Sequence, residues 1–204
     1  SPYGEKADIK VTRYWNLDKG NIIQVGEEEA IGQFNQLFHQ SVNRRLRADV
    51  SIGTSLSGGL DSSSVVAAIH QQLSVNDFYQ QQTFTAGFPN YEKDETSYAK
   101  IVATQFGLKQ YFTQASAGNL ADELVKLVQH HEEPISSASV YAQYKVFELA
   151  KQHNVKVLLD GQGADEILAG YPKYIHWFLQ EQLFNRQFRL YRREKKSLDK
   201  HAFP

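Results

Sequence analysis

The run Ser55-Leu56-Ser57-Gly58-Gly59-Leu60-Asp61-Ser62-Ser63-Ser64 is where this sequence could do chemistry. Gly58 and Gly59 have no side chain to hold a ligand off the backbone. The hydroxyls of Ser57, Ser62 and Ser63 add donors. A strand-like run, Val50 to Leu56, leads in, and an apolar helical run (Val65, Val66, Ala67, Ala68, Ile69, Leu73) leads out. Strand, glycine turn and helix together aim free N–H groups and the positive end of a helix at an anion, and phosphate suits that arrangement. Asp61 is the acid among these donors. A carboxylate beside phosphates calls for a divalent cation between them.

Other glycine motifs fit less well. Gly53 and Gly58 have Walker A spacing, but Gly59 and Leu60 stand where that motif needs Lys and Ser/Thr. Gly53-Thr54-Ser55-Leu56-Ser57 lacks the closing glycine of a serine-hydrolase elbow. An ordinary glycine turn is the plain alternative; two glycines, several hydroxyls and an acid at one helix start argue against it. A second glycine turn, Asp160-Gly161-Gln162-Gly163-Ala164-Asp165-Glu166, closes on Gly170-Tyr171.

The elements that must position these turns alternate. Helical spacing predicts a helix over Glu27 to Arg47 with a stripe of Ile31, Phe34, Leu37, Phe38, Val42 and Leu46. Gln82 to Phe88 reads as a strand stopped by Pro89 and Asn90. Asp94 is placed to cap a helix with an apolar face of Tyr98, Ile101, Val102 and Phe106, stopped by Gly107. Lys109 to Thr113 is a short strand. Leu120, Leu124, Leu127 and Val128 mark a helix, His130 to Ile135 a loop, and Val140, Tyr144, Phe147 and Ala150 another helix. Val155 to Leu159 is nearly all apolar, as in a buried parallel strand. Ser1 to Asp18 reads as a strand or extended lead-in, and Lys19-Gly20-Asn21 as a turn. The pattern predicts an α/β fold, a doubly wound parallel sheet of Rossmann-like type with helices on both faces. Ligands of such sheets bind outside the carboxyl ends of the strands, where both glycine turns lie.

Composition narrows the function classes. The chain has 204 residues, a formal net charge of −1 and no cysteine, so disulfides, thiolate metal sites and cysteine nucleophiles are excluded. Near-neutral charge gives no nucleic-acid footprint, no apolar run is long enough to span a membrane, and no signal peptide opens the chain. The expectation is a cytoplasmic protein with neither nucleic-acid nor membrane partners. Methionine is absent even at position 1, which suggests a piece of a longer protein.

The first turn resembles the SGGxDS pyrophosphate loop of the ATP pyrophosphatase (PP-loop) superfamily. With Leu60 before Asp61 and two serines after it, it is most similar to asparagine synthetases. The run Leu158 to Tyr171 resembles that family's second signature, Ser-Gly-Glu-Gly-x-Asp-Glu ending in Gly-Tyr. Arg13 to Asp18 resembles the junction between the glutaminase and synthetase halves. The resemblance implies a fold of the adenine nucleotide alpha hydrolase type and an ATP-dependent amidotransferase or ligase. Such an enzyme adenylates a carboxylate, aspartate foremost, releases pyrophosphate, and lets ammonia attack to give asparagine. On that basis residues 1–24 are a lead-in from a glutaminase domain, 25–180 an ATP-binding synthetase domain, and 181–204 the start of a helical part. The chain's partners would be the carboxylate substrate, ammonia and the glutaminase domain, and a homodimer is compatible with this reading.

The resemblance also assigns residues. Leu56, Ser57, Gly58, Gly59, Leu60, Asp61, Ser62, Ser63, Ala86, Asp160 and Gly161 would bind ATP, although core packing alone would explain Leu56, Ala86 or Gly161 singly. Asp61 and Asp165 would hold Mg2+ against pyrophosphate; helix capping is the alternative for Asp165. Gln162, Glu166 and Tyr171 would form the catalytic group. Gln162 stands where the family has glutamate and cannot take a proton, and Asp160 replaces the family serine. Either the substrate is another carboxylate, or Glu166 or Glu133 supplies the acid, or the domain is a noncatalytic nucleotide-binding module. Tyr171 matches the family's tyrosine after a pair of glycines, but the first of that pair is Ala169 here. A later family segment with an Arg-Pro-Phe-Leu-Asp run and a lysine is missing, so the chain alone would be incomplete. His130-His131-Glu132-Glu133 lacks HExxH spacing, and the family places a substrate-side loop at Glu133, Ser136 and Ser137. The aromatic and basic run from Trp177 to Lys196 resembles an amphipathic helix; packing on the rest of a longer protein explains it better than RNA binding.

Overall fold

The computed structural model describes residues 10–18, 20–72, 81–88, 91–92 and 94–200. The chain divides into two units, 1–38 and 39–204. In the first, residues 10–18 form no strand, contrary to expectation, and Val11, Tyr14 and Trp15 are exposed. Gly20 turns there with its N–H on the Asp18 carboxylate. Helix α1 (Glu27–Arg45) has three glutamates in its first turn and two arginines in its last, which complements the helix dipole. It ends two residues before the predicted Arg47, and of its residues only Val42 is buried. Residues 1–9, Lys19, Leu73, Pro89 and Asn90, to which expectations were attached, lie outside the described residues.

The second unit is built on a parallel sheet of β1 (Ile52–Ser55), β2 (Gln82–Gly87), β3 (Lys109–Gln114) and β4 (Val157–Leu159), in the order β3-β2-β1-β4. Strand alternation sends Leu56 to one face, where it packs with Val66 of α2 (Leu60–Gln72) and with Ala99 and Ala103 of α3 (Thr96–Gln105). Phe84 goes to the other face, against Val146 and Ala150 of α5 (Ala138–Gln152). Gly53 makes room for that ring: a Cβ there would lie 2.7 Å from Phe84 Cε2. Helices on both faces of a parallel sheet are the doubly wound fold the sequence predicts.

Several local expectations need correction. β4 is an edge strand of this sheet and only half-buried. The buried face of α3 is Ala99 and Ala103, which pack with Leu56 and Val66, while Tyr98 and Ile101 stay 60% and 64% exposed. Gly107 (φ +62°) does end α3, with Leu108 N–H on Ala103 O and Gly107 N–H on Thr104 O. Asp94 is not the cap: Glu95 is, without a side-chain cap bond. Asp94 Oδ1 instead accepts from Phe88 N–H and Thr96 Oγ1, and those bonds hold its carboxyl below the usual range. His130 and His131 belong to the last turn of α4 (Ala117–His131), not to a loop. The C-terminal aromatic run is two helices, α7 (Pro172–Phe184) and α8 (Phe188–Lys200), separated at Arg186 with φ +57°.

Candidate active site

The first glycine turn sits at the carboxyl end of β1. Leu56 N–H donates to Phe84 O and Thr85 Oγ1 donates to Leu56 O, so β2 pins the strand exit through both its N–H and its carbonyl. Gly58 (φ +99°) lies against the start of α3, where a Cβ would come within 2.7 Å of Ala99 N and Glu95 O. The hydroxyls expected to face a ligand brace the turn. Ser62 Oγ and Ser63 Oγ both donate to Gly59 O, at 3.2 and 2.7 Å, and Ser57 Oγ accepts from Gly59 N–H. The N–H groups at the start of α2 have no acceptor within the helix.

The second turn follows β4 and leads into α6 (Ala164–Leu168). Gly161 meets the first turn directly: a Cβ on it would lie 2.8 Å from Ser62 N and 2.9 Å from Asp61 C. Two turns far apart in sequence thus touch backbone to backbone. Gly163 (φ +92°) is the α6 N-cap and no side chain caps it, so Asp165 is not the capping residue. A Cβ on Gly170 would fall 1.9 Å from Asp165 Oδ1, so a glycine is needed to seat that carboxylate. Tyr171 OH donates to Glu166 Oε1 at 2.8 Å. That bond, then burial and the charges of Glu166 and Asp165, push the phenol up to about 12.

A cavity of about 340 Å³ opens between the turns and α5. It collects Leu56, Ser57, Asp61, Ser62, Ala86, Asp160, Gly161, Gln162, Asp165, Glu166 and Tyr171 from the predicted site. Gly58, Gly59, Leu60 and Ser63 do not line it; Leu60 is 83% exposed. Glu133, Ser136 and Ser137 do not reach it either, and Ser137 bonds to Ser139 Oγ instead. Ser55 and Gly163, which lie in the two stretches singled out from sequence but were given no role there, also line it; sequence reasoning missed Phe84, Phe88 and the α5 wall of Ser139, Ala142, Gln143 and Val146. The i, i+3, i+4, i+7 spacing of that wall was the available signal. Among the described residues, the lining holds four carboxylates and no lysine, arginine or histidine.

Among the described residues no group of three or more Asp, Glu, His or Cys is arranged to hold a metal. His130 and His131 direct Nδ1 to the backbone oxygens of Lys126 and Glu133. Asp61 and Asp165 fit a different kind of site. Both line the cavity, neither carboxylate has a hydrogen-bond partner among the described residues, and Gly170 leaves space for one of them. Two carboxylates with free positions suit a hard cation that keeps water and phosphate oxygens in its shell.

The family model described as Asparagine synthase matches residues 33–204. Asparagine synthetase (glutamine-hydrolyzing) 1 of Bacillus subtilis is 33% identical over 153 residues, covering 74% of this chain and 23% of that protein. Asparagine synthetase (glutamine-hydrolyzing) 2 of the same organism is 30% identical, over 79% of this chain and 22% of that protein. Amidase chyE of Penicillium rubens is 27% identical, over 79% and 26%. The chain therefore spans about a quarter of the length of these relatives. Among solved structures, a glutamine-dependent NAD+ synthetase from Acinetobacter baumannii in complex with adenosine diphosphate is similar in fold. Its TM-score is 0.50 at 14% identity, covering 74% of this chain and 29% of that one. No helix among the described residues is long and apolar enough to cross a membrane.

Proposed function

The chain belongs to the asparagine synthase family, and on that footing we propose that it carries the ATP-dependent amide-forming site of a glutamine-dependent asparagine synthetase. The reaction is adenylation of the aspartate side-chain carboxylate with release of pyrophosphate, followed by attack of ammonia on the acyl-adenylate to give asparagine and AMP. Residues 25–180 form the synthetase domain, 1–24 the lead-in from a glutaminase domain that supplies ammonia, and 181–204 the start of a helical part. A cytoplasmic location belongs to the same reading. The observation that carries it is the contact between Gly161 and the Asp61–Ser62 backbone, which supports one ligand spanning both turns.

The free N–H groups at the start of α2, with Ser57, Gly58, Gly59, Leu60, Ser62 and Ser63 shaping the turn, receive the phosphates. Asp61 and Asp165 would hold Mg2+, which supplies positive charge against the leaving pyrophosphate. Leu56, Ala86 and Gly161 line the adenine slot, and Asp160 contacts the nucleotide. Gln162 orients the attacking amine but cannot take its proton. That leaves Glu166, with Tyr171 on its Oε1, to accept it. Gln162 and Asp160 also support a second reading, amidation of a different carboxylate, and one similar protein is named an amidase.

ATP–pyrophosphate exchange over a panel of carboxylates separates the two. Exchange strongest with aspartate is expected. Exchange confined to another acid replaces aspartate, and no exchange with any acid, in a protein of the full family length, removes the catalytic proposal.

A further inference from the structure

We infer that Lys173 is a positioning residue for the amide-forming step, holding the Tyr171 ring so that its hydroxyl fixes Glu166. The inference rests on the proton-acceptor role proposed for Glu166 and deepens it by naming what aims that carboxylate. Lys173 is exposed and forms no ion pair among the described residues. Its ammonium lies instead over three rings, 5.0 Å from the centroid of Tyr171, 5.3 Å from that of Tyr174 and 5.8 Å from that of Trp177. All three are within cation–π reach. The rings also meet one another, with centroids 5.6 Å apart for Tyr171 and Tyr174 and 5.4 Å apart for Tyr174 and Trp177.

Of these four side chains only Tyr171 lines the cavity, so Lys173 acts through it. Tyr171 stands at a corner. It precedes Pro172 at the start of α7 with extended backbone (φ −83°, ψ 134°) and makes no side-chain cap bond. On the other side of the corner, α6 is five residues long and buries none of them. The bond from Tyr171 OH to Glu166 Oε1 spans the corner. A cation shared by three rings restricts the rotation that would break that bond. In the amide-forming step the ammonia nitrogen bonds to the acyl carbon, the bond from that carbon to the AMP oxygen breaks, and the proton shed by nitrogen goes to Glu166. Tyr171 on Oε1 leaves Oε2 to take it.

Lys173→Met keeps an aliphatic stem and removes the charge, and Lys173→Arg keeps a cation over the rings. In a protein of full family length, Lys173→Met is expected to slow single-turnover amide formation about two- to fivefold. ATP–pyrophosphate exchange, which precedes that step, is expected to stay unchanged, and Lys173→Arg to restore the rate. In a Tyr171→Phe background, which keeps the ring and loses the hydroxyl, Lys173→Met is expected to cost nothing further. In the 204-residue chain labelled with fluorotyrosine, the fluorine resonance absent from Tyr171→Phe is expected to move in Lys173→Met and to return in Lys173→Arg. A full rate and an unmoved resonance in Lys173→Met overturn the inference and leave the lysine as a cover for the rings. A cost that persists in the Tyr171→Phe background overturns it in favour of direct contact with substrate, and a parallel loss of exchange overturns it in favour of a role in adenylation. No exchange with any acid in the unaltered protein removes the reaction itself; normal exchange with amide formation indifferent to Lys173 removes the positioning role alone.

Discussion

Gly161 has room for a hydrogen and nothing larger, because the atoms facing it are the backbone of the other turn. Backbone cannot rotate aside as a side chain can. Gly161→Ala is therefore expected to lower stability by about 1–3 kcal/mol in denaturant unfolding, and to weaken ATP binding by moving the turns apart. Ala169 presents the opposite case. It holds φ +57° at the end of α6, a conformation that suits glycine. Ala169→Gly is expected to stabilise the chain by about 1 kcal/mol, read from the same unfolding curves. Gln162 lines the cavity beside Glu166. Gln162→Glu is expected to raise pyrophosphate release if the site is catalytic; no change in a protein of full family length favours a noncatalytic module. These turn residues were legible from sequence because glycines, acids and hydroxyls coincide there. What the hydroxyls do was not: Ser62 and Ser63 donate to Gly59 O, a choice set by the local helix start.

Helix α5 carries one wall of the cavity, and its seat on α4 is an apolar cluster of Leu127 and Tyr141 with Leu120 and Tyr144, edged by charge. Lys145 lies between Glu123 and Glu148, and Lys126 also bonds Glu148 at 2.8 Å. Tyr141 OH donates to Glu123, and burial first, then that bond, push the phenol up to about 12. The bonds from Lys126 and Lys145 hold the Glu148 carboxyl below its ordinary value of 4.5. A lowered carboxyl stabilises the folded state above its unfolded pKa, and that stability is lost as pH falls through the folded value. Melting temperature is thus expected to fall as pH drops below about 4.5, with a shallower fall in Glu148→Gln; identical acid limbs would contradict the assignment. The α5 wall escaped sequence reasoning because Ser139, Ala142, Gln143 and Val146 mix polar, small and apolar types. The stripe through Val140, Tyr144, Phe147 and Ala150 looked more regular, yet Phe147 is exposed and the buried residues are Tyr141, Val146 and Ala150.

In the second unit, the alternation of strands and helices was readable from apolar runs and glycine stops, and so was the position of both turns at strand ends. The strand order was not, because pairing depends on side chains distant in sequence: Gly53 must be small for Phe84 to fit. Nor could the edge position of β4 be read from Val157-Leu158-Leu159, which is as apolar as a central strand. Asp61 and Asp165, two carboxylates from distant turns, are proposed to serve one nucleotide. Titration of ATP into the chain with and without magnesium, repeated for Asp61→Asn and Asp165→Asn, measures this directly. Magnesium-dependent binding that falls at least about tenfold in each variant, a loss of about 1.4 kcal/mol, is the predicted result. Binding indifferent to magnesium, or undiminished in either variant, would contradict it.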